Sequence, residues 1–89
     1  MEITFDPQKN LSNKEKHGVY LSDAAYLDWD TVISFPDTRY GYGEQREIGY
    51  GYMDGRLYCV VFVDRDEERR IISFRKTNDR EQKRYAGDY

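Results

Sequence analysis

The chain is poor in the residues that staple or metallate small folds: one cysteine, one histidine and two prolines in 89 residues. A lone cysteine excludes an intramolecular disulfide framework and a zinc site of clustered thiolates. A lone histidine excludes a multi-histidine metal site built by one copy. No apolar run approaches the roughly 18 residues that a membrane-spanning helix needs. The start, Met1-Glu2-Ile3-Thr4-Phe5-Asp6-Pro7, has neither the basic region nor the apolar segment of a signal peptide. These absences lead to the expectation of a cytoplasmic protein, 1–89 as one domain, with no metal and no cofactor.

Against these gaps stand charge and aromatics. Charged residues make up 35% of the chain and hydrophobic ones 38%, so the core must be small. Nine tyrosines, four phenylalanines and one tryptophan compensate, because each buries roughly 150–250 Å². Net charge is −3, which argues against a protein that coats nucleic acid indiscriminately. The sign is uneven, however. Residues 69–84 carry Arg69, Arg70, Arg75, Lys76, Arg80, Lys83 and Arg84 against only Asp79 and Glu81. That stretch is the candidate anion-binding surface.

Local signals predict an α+β order of two short N-terminal helices, a three- to four-stranded antiparallel sheet and a C-terminal helix. Ile3-Thr4-Phe5 reads as extended. Asp6-Pro7 opens the first helix, with Asp as N-cap and Pro at its first position, and His17-Gly18 closes it. Leu11 is its only apolar residue, so Phe5, Leu11 and polar contacts are expected to hold it. Ser22 is expected to cap a second helix, with Leu21 and Tyr26 as a hydrophobic staple and Leu27 and Trp29 continuing the apolar set. Val32–Phe35 reads as extended and residues 37–43 as a loop. Arg46–Tyr52 and Leu57–Val63 are strands joined by the two-residue turn Asp54-Gly55. After the turn at 65–68, Arg70–Lys76 is a third strand. Simple alternation puts Ile72 and Phe74 on one face and Ile71, Ser73 and Arg75 on the other, with Arg75 wet at a rim. Asn78 and Glu81 form a capping-box pair for a last helix through Tyr85.

Four segments of this chain together resemble the BrnT family of bacterial toxins, in the RelE-like ribonuclease group. They are Asp6-Pro7-x-Lys9-x-x-x-Asn13-x-x-Lys16-His17-Gly18-Val19; Gly43-Glu44-x-Arg46 followed by Gly51 and Asp54-Gly55-Arg56; Val60-Val61-Phe62-x-x-Arg65; and Arg70-Ile71-Ile72-Ser73-x-Arg75-Lys76 with Glu81 and Tyr85 beyond. Their order and spacing carry the resemblance over nearly the whole chain. Phe5 stands where the family usually has tryptophan. The resemblance implies a RelE-like fold and an endoribonuclease toxin that works without a metal. It also implies a cognate BrnA-type antitoxin of the ribbon-helix-helix class, a hetero-oligomer with it, RNA as substrate and DNA contact only through the antitoxin.

The residue types suit that chemistry. Metal-free RNA cleavage needs a base for the 2′-OH, cations or N–H groups around the phosphorane, and an acid for the 5′-oxygen. Arg46, Arg65 and Arg75 are the phosphate-holding candidates, because a guanidinium fork meets two phosphate oxygens at once. Ser73 is a hydroxyl donor on the same strand face as Arg75. Glu44 is a base or the orienter of an arginine. His17 is a candidate acid or base, because imidazole is the side-chain type whose ordinary pKa lies near neutrality. Lys76, Arg80 and Tyr85 are candidates for RNA binding. Structural readings stand beside these: a Glu44–Arg46 ion pair, His17 and Glu81 as helix-end residues, Tyr85 as packing, and Cys59 as a buried small hydrophobe. The competing function is a catalytically silent module that binds an antitoxin and serves in autoregulation.

Overall fold

A computed structural model describes residues 1–87, and side chains as far as Tyr85. Strand β1 (Glu2–Thr4) leads into helix α1 (Pro7–His17), the bounds that the capping residues predict. The Asp6 side chain accepts from the backbone N–H groups of Gln8 (2.8 Å) and Lys9 (3.3 Å). Gly18 ends the helix at φ 79°, a conformation that glycine adopts without steric cost. Of the expected anchors of α1, Leu11 fails, being 62% exposed, whereas Phe5 packs against the core and a polar contact holds the helix. The buried anchor is Asn13, whose Nδ2 donates to the carbonyls of Val19 (2.8 Å) and Phe74 (2.7 Å). A polar side chain here does what a greasy helix face does elsewhere.

The second predicted helix is a single 3-10 segment, Leu21–Tyr26, that ends before Trp29. Ser22 is not its cap: Tyr20 takes that position, its N–H donating to Asp23 Oδ2, while the Ser22 N–H is taken by Asn10 Oδ1. Tyr26 is 78% exposed and makes no staple. The apolar residues Leu21, Ala24 and Leu27 are already buried in this short turn, so there is nothing for a longer helix to cover.

Strands β2 (Asp28–Pro36), β3 (Glu47–Met53), β4 (Arg56–Arg65) and β5 (Glu68–Lys76) complete a five-stranded sheet of order β1-β5-β4-β3-β2. The expectation of three or four antiparallel strands is therefore corrected. Four are antiparallel, and β1 adds a parallel fifth by pairing Glu2–Thr4 with Glu68–Arg70. The three-residue β1 covers only the start of the β5 edge. Beyond it Asn13 takes the place of a partner strand, bonding the Phe74 carbonyl and facing its N–H. The β3–β4 turn has Asp54 at φ 52° and Gly55 at φ 75°, the left-handed pair of a tight hairpin.

Strand alternation then sorts the sheet into two faces. Tyr58, Val60 and Phe62 of β4 and Ile71 and Phe74 of β5 meet Leu21, Ala24 and Leu27 in the core. Simple alternation fails at one place on β5. Val61 pairs with Ser73 but Phe62 with Ile71, so Ile72 is an extra residue in a bulge. Ile71, not Ile72, shares the core face with Phe74 and is 1% exposed. Ser73 and Arg75 stay together on the opposite face. A short helix α2 (Asp79–Gln82) follows, capped by Asn78, and runs on as a π turn over Lys83–Gly87. No helix among the described residues is long and apolar enough to cross a membrane.

Candidate active site

The face of the sheet away from α1 is left partly open; α2 and the turn after it reach it through Glu81 on Arg75 and Tyr85 on Tyr50. It holds a cavity of about 200 Å³ lined by Arg39, Arg46 and Arg75 together with Ser73, Tyr50 and Tyr42. Its floor is Ile48, Cys59, Val61 and Ile72. Burial pushes the Cys59 thiol up, so it is a packing group there.

Each of the three arginines is held by a carboxylate of its own. Arg75 makes a bidentate pair with Glu81, Nη1 to Oε1 at 2.8 Å and Nη2 to Oε2 at 2.9 Å. Glu81 also accepts from the Tyr50 hydroxyl (3.1 Å) and from the Asn78 N–H (3.0 Å). The residue expected as a helix cap is thus a cap and a clamp at once. Arg75 is the main reason that the Glu81 carboxyl is lowered to about 2. The guanidinium is not simply wet at a rim: a third of its side chain is exposed and the rest lies against this clamp. Tyr50 stacks on Tyr85, with centroids 4.1 Å apart and planes 12° from parallel. Burial holds the Tyr50 phenol above its ordinary value, so it stays a hydroxyl donor.

The loop from 37 to 46 builds the other wall. The Asp37 N–H donates to the Arg46 carbonyl (2.7 Å) and closes the loop at its base. The Asp37 carboxylate is wholly buried, and Arg39 grips it with Nε (2.8 Å) and Nη2 (2.9 Å). The Tyr42 hydroxyl adds a third side-chain donor at 3.0 Å. These bonds, Arg39 first, hold the carboxyl well below the usual range. Arg46 lies 4.0 Å over the Tyr42 ring and reaches Glu44 with Nε at 3.3 Å.

Arg46, Ser73 and Arg75 are therefore brought together from separate positions in the chain. Glu44 stands behind Arg46 as its partner, outside the cavity lining. Arg65 lies farther along the same face, in a second depression with Glu44, Val63, Glu68 and Arg70. His17 lies in a groove of α1 that Ser73 also lines. Lys76 and Arg80 are exposed, and Tyr85 reaches the site through Tyr50. Asp37, Arg39, Tyr42 and Tyr50 were not among the expected site residues. The signal available for the first three was an Asp-x-Arg-x-x-Tyr run after Pro36, which reads equally as ordinary loop chemistry.

The cavity can hold a phosphate. Arg39 and Arg75 each give two nitrogens to their carboxylates, and Arg75 Nη1 also donates to the Lys76 carbonyl (3.2 Å). The Nε–H and the second Nη2 N–H of Arg75, Nη1 of Arg39 and both Nη groups of Arg46 have no partner among the described residues. Ser73 adds a hydroxyl with no protein partner among the described residues. No group of three or more His, Cys, Asp or Glu side chains suited to a metal ion occurs among the described residues. No curated protein matches the chain's sequence. The model of the BrnT ribonuclease toxins of type II toxin–antitoxin systems matches residues 5–81. That span takes in α1, strands β2 to β5, all three arginines and Glu81, and the chain belongs to the BrnT toxin family.

Proposed function

We propose that this protein is an endoribonuclease toxin that cleaves RNA at the arginine cavity without a metal ion. The observation that carries the reading is the convergence of Arg39, Arg46 and Arg75 with Ser73 on one cavity, each guanidinium already oriented by a carboxylate. The 2′-oxygen attacks the neighbouring phosphorus, the P–O2′ bond forms and the P–O5′ bond breaks. The products are a 2′,3′-cyclic phosphate and a 5′-hydroxyl. Charge builds on the non-bridging oxygens during that step, and guanidinium donors fixed beforehand stabilise it without reorganising. Arg39, Arg46 and Arg75 supply those donors and Ser73 a fourth. Glu44 acts as the orienter of Arg46. His17 accepts the 2′-OH proton from its groove beside Ser73, and a water molecule protonates the departing 5′-oxygen. Lys76, Arg80 and Tyr85 border the path of the RNA.

The antitoxin, of the BrnA ribbon-helix-helix type, lays an acidic segment over the same arginines and so removes charge and access together. The toxin then exists as a hetero-oligomer and meets DNA only through that partner. Cleavage of purified RNA in EDTA tests the enzyme reading. Parent protein should cleave, and Arg75→Ala should not. Loss of cleavage in EDTA with recovery in magnesium would refute the metal-free mechanism. A folded parent that cleaves no RNA yet binds its antitoxin would favour the silent-module reading.

A further inference from the structure

We infer that Arg65 and Arg70 form a second phosphate subsite, which holds the RNA strand one to two nucleotides from the bond that is cut. The inference rests on the ribonuclease reading. Arg65 and Arg70 project from the same sheet face as Ser73 and Arg75. In the β4–β5 register Val61 lies opposite Ser73, Val63 opposite Arg70 and Arg65 opposite Glu68. Val61 lines the arginine cavity and Val63 lines the second depression. The two depressions therefore meet along β4. Val63 is two residue steps along the strand from Val61, or about 7 Å, and Arg65 is four steps, or about 13 Å. That is the scale of steps along an extended nucleotide chain, not of two contacts to one phosphate.

The arginines of the two depressions also differ in partnership. Arg39, Arg46 and Arg75 each have a salt-bridging carboxylate, whereas Arg65 and Arg70 have none among the described residues. Both are exposed. Glu44, the acid that borders the second depression from the loop, is bonded to Arg46. A guanidinium without a fixed partner suits tracking of a flexible backbone phosphate, and clamped guanidiniums suit a transition state. The ligand class is single-stranded RNA with a phosphate beyond the scissile one.

The test uses fully 2′-O-methylated RNA, which cannot be cut, so binding is read apart from catalysis. Affinities of a dinucleotide and a hexanucleotide are measured against salt for the parent, Arg65→Ala/Arg70→Ala and Arg65→Lys/Arg70→Lys. The parent should bind the hexanucleotide more tightly, and the alanine pair should lose that gain while binding the dinucleotide as the parent does. Its log–log salt slope should fall by about 0.7 for each lost phosphate contact. The lysine pair should keep the slope, which separates lost charge from lost folding. An unaltered length gain and slope in the alanine pair would overturn the subsite. So would an equal loss on both lengths, or a loss confined to an acidic antitoxin peptide. A parent that cleaves no RNA but keeps an Arg65- and Arg70-dependent length gain would sink the ribonuclease reading and leave the subsite standing.

Discussion

The two faces of this sheet are built from the same strands and solve opposite problems. Val60 is wholly buried against Leu21 and Phe74, while its neighbour Val61 floors an open cavity. On the helix side, stability comes from apolar burial, and the Tyr58 and Phe74 rings stack with centroids 5.0 Å apart. On the arginine side, order comes from ion pairs and hydrogen bonds that converge on Asp37 and Glu81. Packing fixes a side chain by excluding alternatives and leaves no room for a ligand. Charged clamps fix it by direction and leave outward donors unused. A small domain that must bind an anion can therefore keep one face closed and hold the other rigid without filling it.

The sharpest way to break this contrast is to remove a residue from each face. Phe74→Ala on the closed face should cost about 3–5 kcal/mol in stability, because a fully buried ring leaves a cavity behind. Urea unfolding should register most of that loss. Arg75→Ala on the open face should lower RNA cleavage by about 10²–10³ through one lost charge contact in the transition state. Its stability should fall by only about 1 kcal/mol, since the lost pair is part-exposed yet leaves Glu81 with two of its four bonds. Comparable destabilisation by both substitutions would erase the distinction between packing and clamping.

A third substitution probes how closely the sheet fits the residues beside it. A Cβ on Gly51 would stand 2.5 Å from Val32 Cγ2, and one on Gly49 would stand 2.8 Å from Val32 Cγ1. Gly51→Ala should cost about 1–3 kcal/mol, visible as a lower midpoint in thermal unfolding. A neutral result would mean that β2 can shift relative to β3. The smallest effect concerns pH. The Glu81 carboxyl sits at about 2 when folded and at 4.5 otherwise. The folded chain binds fewer protons in that interval, so the contribution is complete above pH 4.5 and is lost as pH falls towards 2. Glu81→Gln should flatten that part of the acid limb, and Asp37, lowered in the same direction, should sustain what remains. An acid limb of the same shape in the variant would show that the clamp contributes nothing to stability.

Much of this was readable in the chain itself. Asp6-Pro7, His17-Gly18, Asp54-Gly55 and the Asn78–Glu81 pair each set a boundary through bonds within a few residues, so no distant partner was needed to place them. Ser73 and Arg75 share a face because two residues of strand return a side chain to the same side. Tertiary structure decided what depends on partners far along the chain. The bulge at Ile72 moved Ile71 into the core, since core packing selects which isoleucine is buried and alternation alone does not. The parallel pairing of β1 required an edge that exists only once β5 has formed. Asn13 became the anchor of α1 because the Phe74 backbone, 61 residues away, lacked a strand partner there. The cavity has the same origin. Arg39 and Arg46 come from one loop and Arg75 from the last strand, and only the folded sheet brings their charges together. Side-chain type and short-range spacing can fix a cap or a turn, but a site whose parts lie some 30 residues apart is fixed by the packing of the strands that carry them.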